Sequence, residues 1–171
     1  GVKGNAILGL ITLAAFIGCG LMAQAQESQV DYDGFVDLSA EISDYRSSRL
    51  VDLDTFNEMK ADSDTIILDT RSAEAYRLGH IDGAAHLNFS DFTDDKLAQL
   101  IPSKDTRILI YCNNNFTDNV APVPVKRIEL ALNVPTFINL YGYGYENIYE
   151  LDGAYPLAEP AIHWVGEVSP L

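Results

Sequence analysis

The chain is predicted to be an α/β domain built on a largely parallel sheet, and three observations lead there. Thr65-Ile66-Ile67-Leu68 and Arg107-Ile108-Leu109-Ile110-Tyr111-Cys112 are short apolar runs without alternation, the pattern of strands covered on both faces. Helix signals fall between the runs, with Ser72 ahead of Ala73–Leu78 and Asp91 or Thr93 ahead of Asp94–Leu100. Strand and helix signals then alternate along the chain, as they do in successive βα units. At 171 residues, 47% hydrophobic, the chain is long enough for one domain with a sizeable core. No internal repeat divides it.

The N-terminus is of a different character. Residues 1–25 hold no acid and a single base, Lys3, and the run AILGLITLAAFIGCGLMA is uncharged and ends at Ala23-Gln24-Ala25. A basic start, an apolar centre and a small-x-small site are the parts of a cleavable secretory leader. The run is also about long enough to span a bilayer, so an uncleaved anchor is the alternative. A third reading takes Phe16-Ile17-Gly18-Cys19 as a loose lipobox that would lipidate Cys19; Phe16 fits it poorly. The expectation is an exported protein, periplasmic in a bacterium, or else a membrane-anchored lipoprotein. Contact with a membrane is expected only through Cys19 or an uncleaved leader.

Residues 26–48 are polar and acidic and read as an arm or linker with one short element. Leu50-Val51-Asp52-Leu53 is a short extended segment, after which Asp54 is expected to cap a helix over residues 55–60. Asp69-Thr70-Arg71 ends the next strand, and Gly79 closes the helix that follows. Gly83 to Asn88 reads as a turn into a second short strand, and Pro102 stops the helix after it. Residues 113–132, with Pro122 and Pro124, have no clear period, and a connection this long is usually functional or mobile. Asn133 is expected to cap a last helix with Pro135 in its first turn, and Asn147 to Leu151 is the final strand. The domain is thus expected over residues 49–158, with an irregular tail over 159–171.

The composition excludes several functions. With 11 Lys+Arg against 25 Asp+Glu the net charge is −14, which argues against nucleic acid as a partner. Cys19 and Cys112 are the two cysteines. Loss of the leader leaves one, so neither an intramolecular disulfide nor a cysteine zinc site is available, and no metal or cofactor is expected. In an exported protein a lone thiol is a liability unless it is buried or used.

Ligands of parallel α/β sheets gather beyond the carboxyl ends of the strands, where Asp69-Thr70-Arg71 and Cys112 are placed. Were these strands neighbours, Arg71 would stand near the thiol and favour thiolate. Asp69-Thr70-Arg71, Glu74-Ala75-Tyr76, Gly79-His80-Ile81-Asp82-Gly83-Ala84, Ile108 to Cys112 and the stretch Gly144 to Gly153, in this order and spacing, resemble the rhodanese-like domain family. The resemblance implies a three-layer α/β/α fold around a mainly parallel five-stranded sheet. It also implies a cysteine that takes up sulfane sulfur as a persulfide and passes it to an acceptor. Cys112 would be the nucleophile, Asp69 and Arg71 would brace or charge the site, and Asn113, Asn114, Asn115, Phe116 and Thr117 would form the backbone cradle. The partners implied are a small sulfur-containing anion and a thiol acceptor.

The loop after Cys112 departs from the family pattern, which has a compact six-residue loop with a glycine and a closing arginine running into a helix. Here Asn113 to Asn119 contain neither glycine nor base, and the helix is postponed to about Val134. Asparagine tolerates positive φ better than most residues, so the three asparagines are expected to curl the backbone around the sulfur. Lys126 and Arg127 are expected to supply the missing positive charge, and Asp118 to oppose a thiolate. Three functions follow: a sulfurtransferase or sulfur carrier, a binding module that recognises a partner through residues 113–132, and a phosphate-ester enzyme. The last needs a phosphate-binding arginine in the loop, and none occurs before Arg127. His80, His86 and His163 are expected to be structural.

Overall fold

The computed structural model describes residues 20 and 22–168. It separates into two compact units, Gly1–Asp31 and Tyr32–Leu171. The described residues of the first unit form no helix or strand, and the expected leader with Cys19 lies almost wholly outside the described residues. Among the described residues no helix is long and apolar enough to cross a membrane.

The second unit is built on a five-stranded, all-parallel sheet. Its strands are β1 (Leu50–Val51), β2 (Ile66–Asp69), β4 (Ala85–His86), β5 (Ile108–Tyr111) and β6 (Ile148–Leu151), in the order β1-β6-β5-β2-β4. The central strand β5 is buried along its whole length, which is why its sequence shows no alternation. Its side chains nevertheless sort by parity. Ile108 and Ile110 join Leu68, Ile148, Ile42 and Phe137 in one core; Leu109 and Tyr111 join Ile67, Leu151, Phe56 and Phe116 in the other.

The first core is covered by α1 (Tyr32–Ser47), α4 (Asp94–Leu100) and α5 (Asn133–Gly142), through Ile42, Leu97 and Phe137. The second is covered by α2 (Leu53–Lys60), which contributes Phe56, and by α3 (Ala73–Leu78), whose Tyr76 packs at its edge. Ser72 and Thr93 cap α3 and α4 as expected, accepting from Ala75 N and Lys96 N. For α2 the cap is Asp52, whose side chain accepts from Thr55 N, rather than Asp54; Asp52 precedes the first residue that turns inward, Leu53.

Three parts of the chain differ from their sequence expectation. Residues 26–48, read as an arm, contain the 16-residue helix α1, which packs on α5 and buries Ile42. Its apolar residues are sparse because only one narrow stripe meets the core. The tail expected to be irregular carries a 3-10 helix (Pro160–Ile162) and β7 (Trp164–Val165). There β7 pairs antiparallel with β3 (His80–Ile81), closing the second core with Trp164 and Ile162. Asn133 is the first residue of α5 and not its cap: Leu132 is already helical in φ and ψ and makes no side-chain cap.

Candidate active site

Cys112 follows the last residue of β5 and keeps an extended backbone (φ −145°, ψ −177°). Its side chain therefore falls on the same face as Ile108 and Ile110, beneath the start of α5. Backbone N–H groups of Asn133, Asn114 and Leu132 face Sγ and favour its ionised form. The cradle is thus drawn from two separate segments, the 3-10 helix Asn113–Asn115 and the first turn of α5. The long 116–131 excursion leaves the strand and returns the helix N-terminus to the sulfur, where free N–H groups favour negative charge. Burial pushes the thiol up from its ordinary value and the Glu150 carboxylate adds to this, while the three amides work the other way. Cys112 is 1% exposed.

The three asparagines do not act through positive φ. Among the described non-glycine residues only Asn119 and His163 adopt it. Each of the three instead uses its carboxamide to stitch the turn to another segment. Asn113 Nδ2 donates to Pro124 O at 3.0 Å, and its Oδ1 accepts from Arg71 Nη1 at 3.3 Å. Asn114 pairs with the backbone of Lys126, donating to its carbonyl at 2.8 Å and accepting from its N–H at 2.9 Å. Asn115 is buried and makes four bonds. Its Oδ1 accepts from Cys112 N at 2.9 Å and Asn133 Nδ2 at 3.0 Å; its Nδ2 donates to Leu151 O at 2.8 Å and Gly153 O at 2.9 Å. The sequence showed three small amides in a row, but their partners lie in segments that only the fold brings near.

The rest of the expected cradle points away from the sulfur. Phe116 is buried against Tyr111 and Trp164, and Thr117 N donates to Tyr155 O. Asp118 accepts from Leu157 N at 2.9 Å; the acid that bears on the thiol is Glu150.

Asp69 and Arg71 do lie on the neighbouring strand, as expected, but on the opposite face. Asp69 is in register with Tyr111, whose hydroxyl donates to Asp69 Oδ2 at 2.6 Å. Arg71 holds the same carboxylate from Nη2 at 2.6 Å and Nε at 3.0 Å, and donates to Gly79 O at 2.6 Å. Its Nη1 reaches Asn113 Oδ1 at 3.3 Å and Pro122 O at 3.4 Å. With five N–H groups in all, the guanidinium keeps none for an incoming anion. Its positive charge is neutralised by Asp69, so Arg71 braces the Cys112 turn through Asn113 in place of charging the thiol. His80 Nδ1 bonds Tyr76 O, and His86 Nε2 bonds Arg71 O, both at 2.7 Å, and these rings are structural.

A cleft of about 460 Å³ opens beside the cradle, lined by Arg71, Asn113, Pro122, Lys126, Leu130 and Leu132 among others. Asn113, next to Cys112, and Leu132, whose amide faces the sulfur, both line it. Lys126 brings a cation to this cleft, while Arg127 is largely exposed and faces Glu129 at 3.9 Å. No group of three or more His, Cys, Asp or Glu among the described residues is arranged to hold a metal.

Residues 52–157 match the model of the Rhodanese-like domain. The chain belongs to the rhodanese-like domain family. Its similarity to a curated protein is to the tRNA uridine(34) hydroxylase of Bdellovibrio bacteriovorus, 32% identical over 98 residues, 56% of this chain and 23% of that protein. The chain therefore spans about a quarter of the length of that relative. Among solved structures, the rhodanese-like chain is similar to the Alr3790 protein from Anabaena sp. (20% identity, TM-score 0.47, 69% of this chain and 93% of that one). It is also similar to the BH2092 protein from Bacillus halodurans (21% identity, TM-score 0.43, 70% and 77%). In this rhodanese-like domain α1 and β7 both lie outside the family match.

Proposed function

We propose that this protein is a sulfurtransferase or sulfur carrier that works through a Cys112 persulfide. The observation that carries the reading is the convergence of the Asn114, Leu132 and Asn133 amides on Sγ. Such a ring of donors stabilises a thiolate and the anionic terminal sulfur of a persulfide. In the first step the Cys112 thiolate attacks the sulfane sulfur of a donor such as thiosulfate. A Cys112 S–S bond forms, the donor's S–S bond breaks, and sulfite leaves with the electron pair. In the second step a thiolate acceptor attacks the terminal sulfur and expels the Cys112 thiolate. No net oxidant is needed. The cleft beside Asn113 and Leu132 is lined by Glu74 as well as Lys126, and Lys126 is the group that would receive a small anionic donor. The leader-like first 25 residues support export to a periplasm, or anchoring there through Cys19. The curated relative is named for hydroxylating a tRNA uridine; the −14 charge of this chain speaks against a nucleic-acid partner.

A second reading, a binding module without transfer activity, is favoured by one observation. Ile128 and Leu130 are 79% and 68% exposed on the segment that returns to the cradle. The test is intact mass after incubation with thiosulfate or a polysulfide. A gain of about one sulfur atom (~32 Da) that cyanide removes and Cys112→Ser abolishes supports transfer. A folded protein that takes up no sulfur from either donor overturns it in favour of the binding module.

A further inference from the structure

Glu150 lies in register with Ile110 across the parallel β5–β6 pair. Cys112 stands two residues beyond Ile110 in extended backbone, so both side chains rise from the face covered by α1 and α5. Glu150 is buried. Of the two buried carboxylates among the described residues, Asp69 is on the other face. From the last turn of α1, Arg46 forks onto Glu150, Nε to Oε2 at 2.7 Å and Nη2 to Oε1 at 2.6 Å. This is the bidentate geometry of a strong pair.

The other charges around the thiol are committed elsewhere. Helix α5 has no charged residue, and its Tyr141 hydroxyl bonds Glu41 of α1. Arg49 lies over Tyr45 and Tyr149, and Asp152, at the end of β6, acts on Arg46. Tyr111, Asp69 and Arg71 occupy the opposite face. Lys126, Arg127 and Glu129 are exposed in the loop.

We propose that Arg46 is a positioning residue for the Cys112 nucleophile: by forking onto Glu150 it neutralises the buried carboxylate on the thiol's own face of the sheet and so limits how far that carboxylate opposes formation of the thiolate. The upward push that Glu150 exerts on the thiol agrees with this. Helix α1 lies outside residues 52–157, so the device belongs to what this chain adds to the family domain. The inference deepens the sulfur-transfer reading and rests on it only in taking the thiolate as the reactive species.

The experiment uses the full chain carrying Cys19→Ser, which leaves Cys112 as the sole thiol. Carbamidomethylation by iodoacetamide is followed by intact mass across roughly pH 6 to 10, and folding is checked by circular dichroism. Arg46→Gln should raise the midpoint by about one unit, about a tenfold loss of rate at neutral pH, and Arg46→Lys should recover most of it. Glu150→Gln should lower the midpoint, and the double Gln variant should return close to the parent. An unmoved midpoint in folded Arg46→Gln, or a double variant that keeps its full shift, overturns the proposal. Should Arg46→Gln not fold, the absence of a downward shift in Glu150→Gln does so instead. A thiol that never reacts in any variant also overturns it. Moving midpoints without a sulfur adduct would refute sulfur transfer and leave the Arg46–Glu150 coupling standing; an adduct with unmoved midpoints would do the reverse.

Discussion

Asn115 Oδ1 accepts the backbone N–H of Cys112 at 2.9 Å, and so holds the peptide of Cys112 in place. The same carboxamide reaches Asn133 at the start of α5 and the carbonyls of Leu151, the last residue of β6, and Gly153 just past it. Asn115→Ala would leave several of these groups buried without a partner, at about 2–4 kcal/mol in total. Asn114, whose carboxamide pairs with Lys126 at an exposed position, should cost less than about 1 kcal/mol when cut to Ala. Urea denaturation of both variants compares them; equal losses would contradict the stitching role assigned to Asn115.

Removal of Arg71 should be a stability defect before it is a chemical one. Arg71→Met leaves the Asp69 carboxylate buried and unpaired, a loss of about 3–5 kcal/mol. Because the pair sits on the face opposite the thiol, the pH midpoint of Cys112 alkylation should move little in whatever fraction folds. A midpoint shift as large as that of Arg46→Gln would show that Arg71 charges the site after all.

The pH dependence has a defined sign. Burial, and then Glu150, raise the Cys112 thiol, so alkylation of the native protein should have its midpoint above the ordinary thiol value of about 8.5. The unfolded chain ionises first. Stability from the neutral buried thiol is therefore fully present below the unfolded value and is lost as pH rises through the folded one. The urea-midpoint difference between wild type and Cys112→Ser should hold steady up to about pH 8.5 and shrink as the pH rises beyond it. A constant difference would contradict the raised thiol.

Gly79 is required by the closeness of Trp164. A Cβ on Gly79 would stand 2.3 Å from Trp164 Cζ2, so Gly79→Ala should expel the indole from its place over Arg71 and against Phe116. Trp164 is the single tryptophan, and its emission should shift to longer wavelength with lowered stability. An unchanged spectrum would mean that β7 tolerates the displacement.

Much of the sheet was legible in the sequence because its strands are buried on both faces and its helix caps are local. Ser72 and Thr93 act within three residues of themselves, so their signals survive in one dimension. Helix α1 and strand β7 were not legible. One presents a narrow apolar stripe in a polar segment, and the other is a two-residue strand whose pairing with β3 is long-range.

The sequence by itself determined the family, the parallel α/β order, and a cysteine at the end of a central strand. These follow from local periodicity and from the order of motifs. What surrounds that thiol was decided only by the tertiary structure. The face on which Cys112 emerges depends on strand parity, which places Asp69 and Arg71 behind the sheet and Glu150 with Arg46 in front. The amides on the sulfur come from residues 114 and 132–133, which are joined only when the long loop folds back. Register and chain return are properties of pairing between distant segments, and neither is written in the composition of the loop.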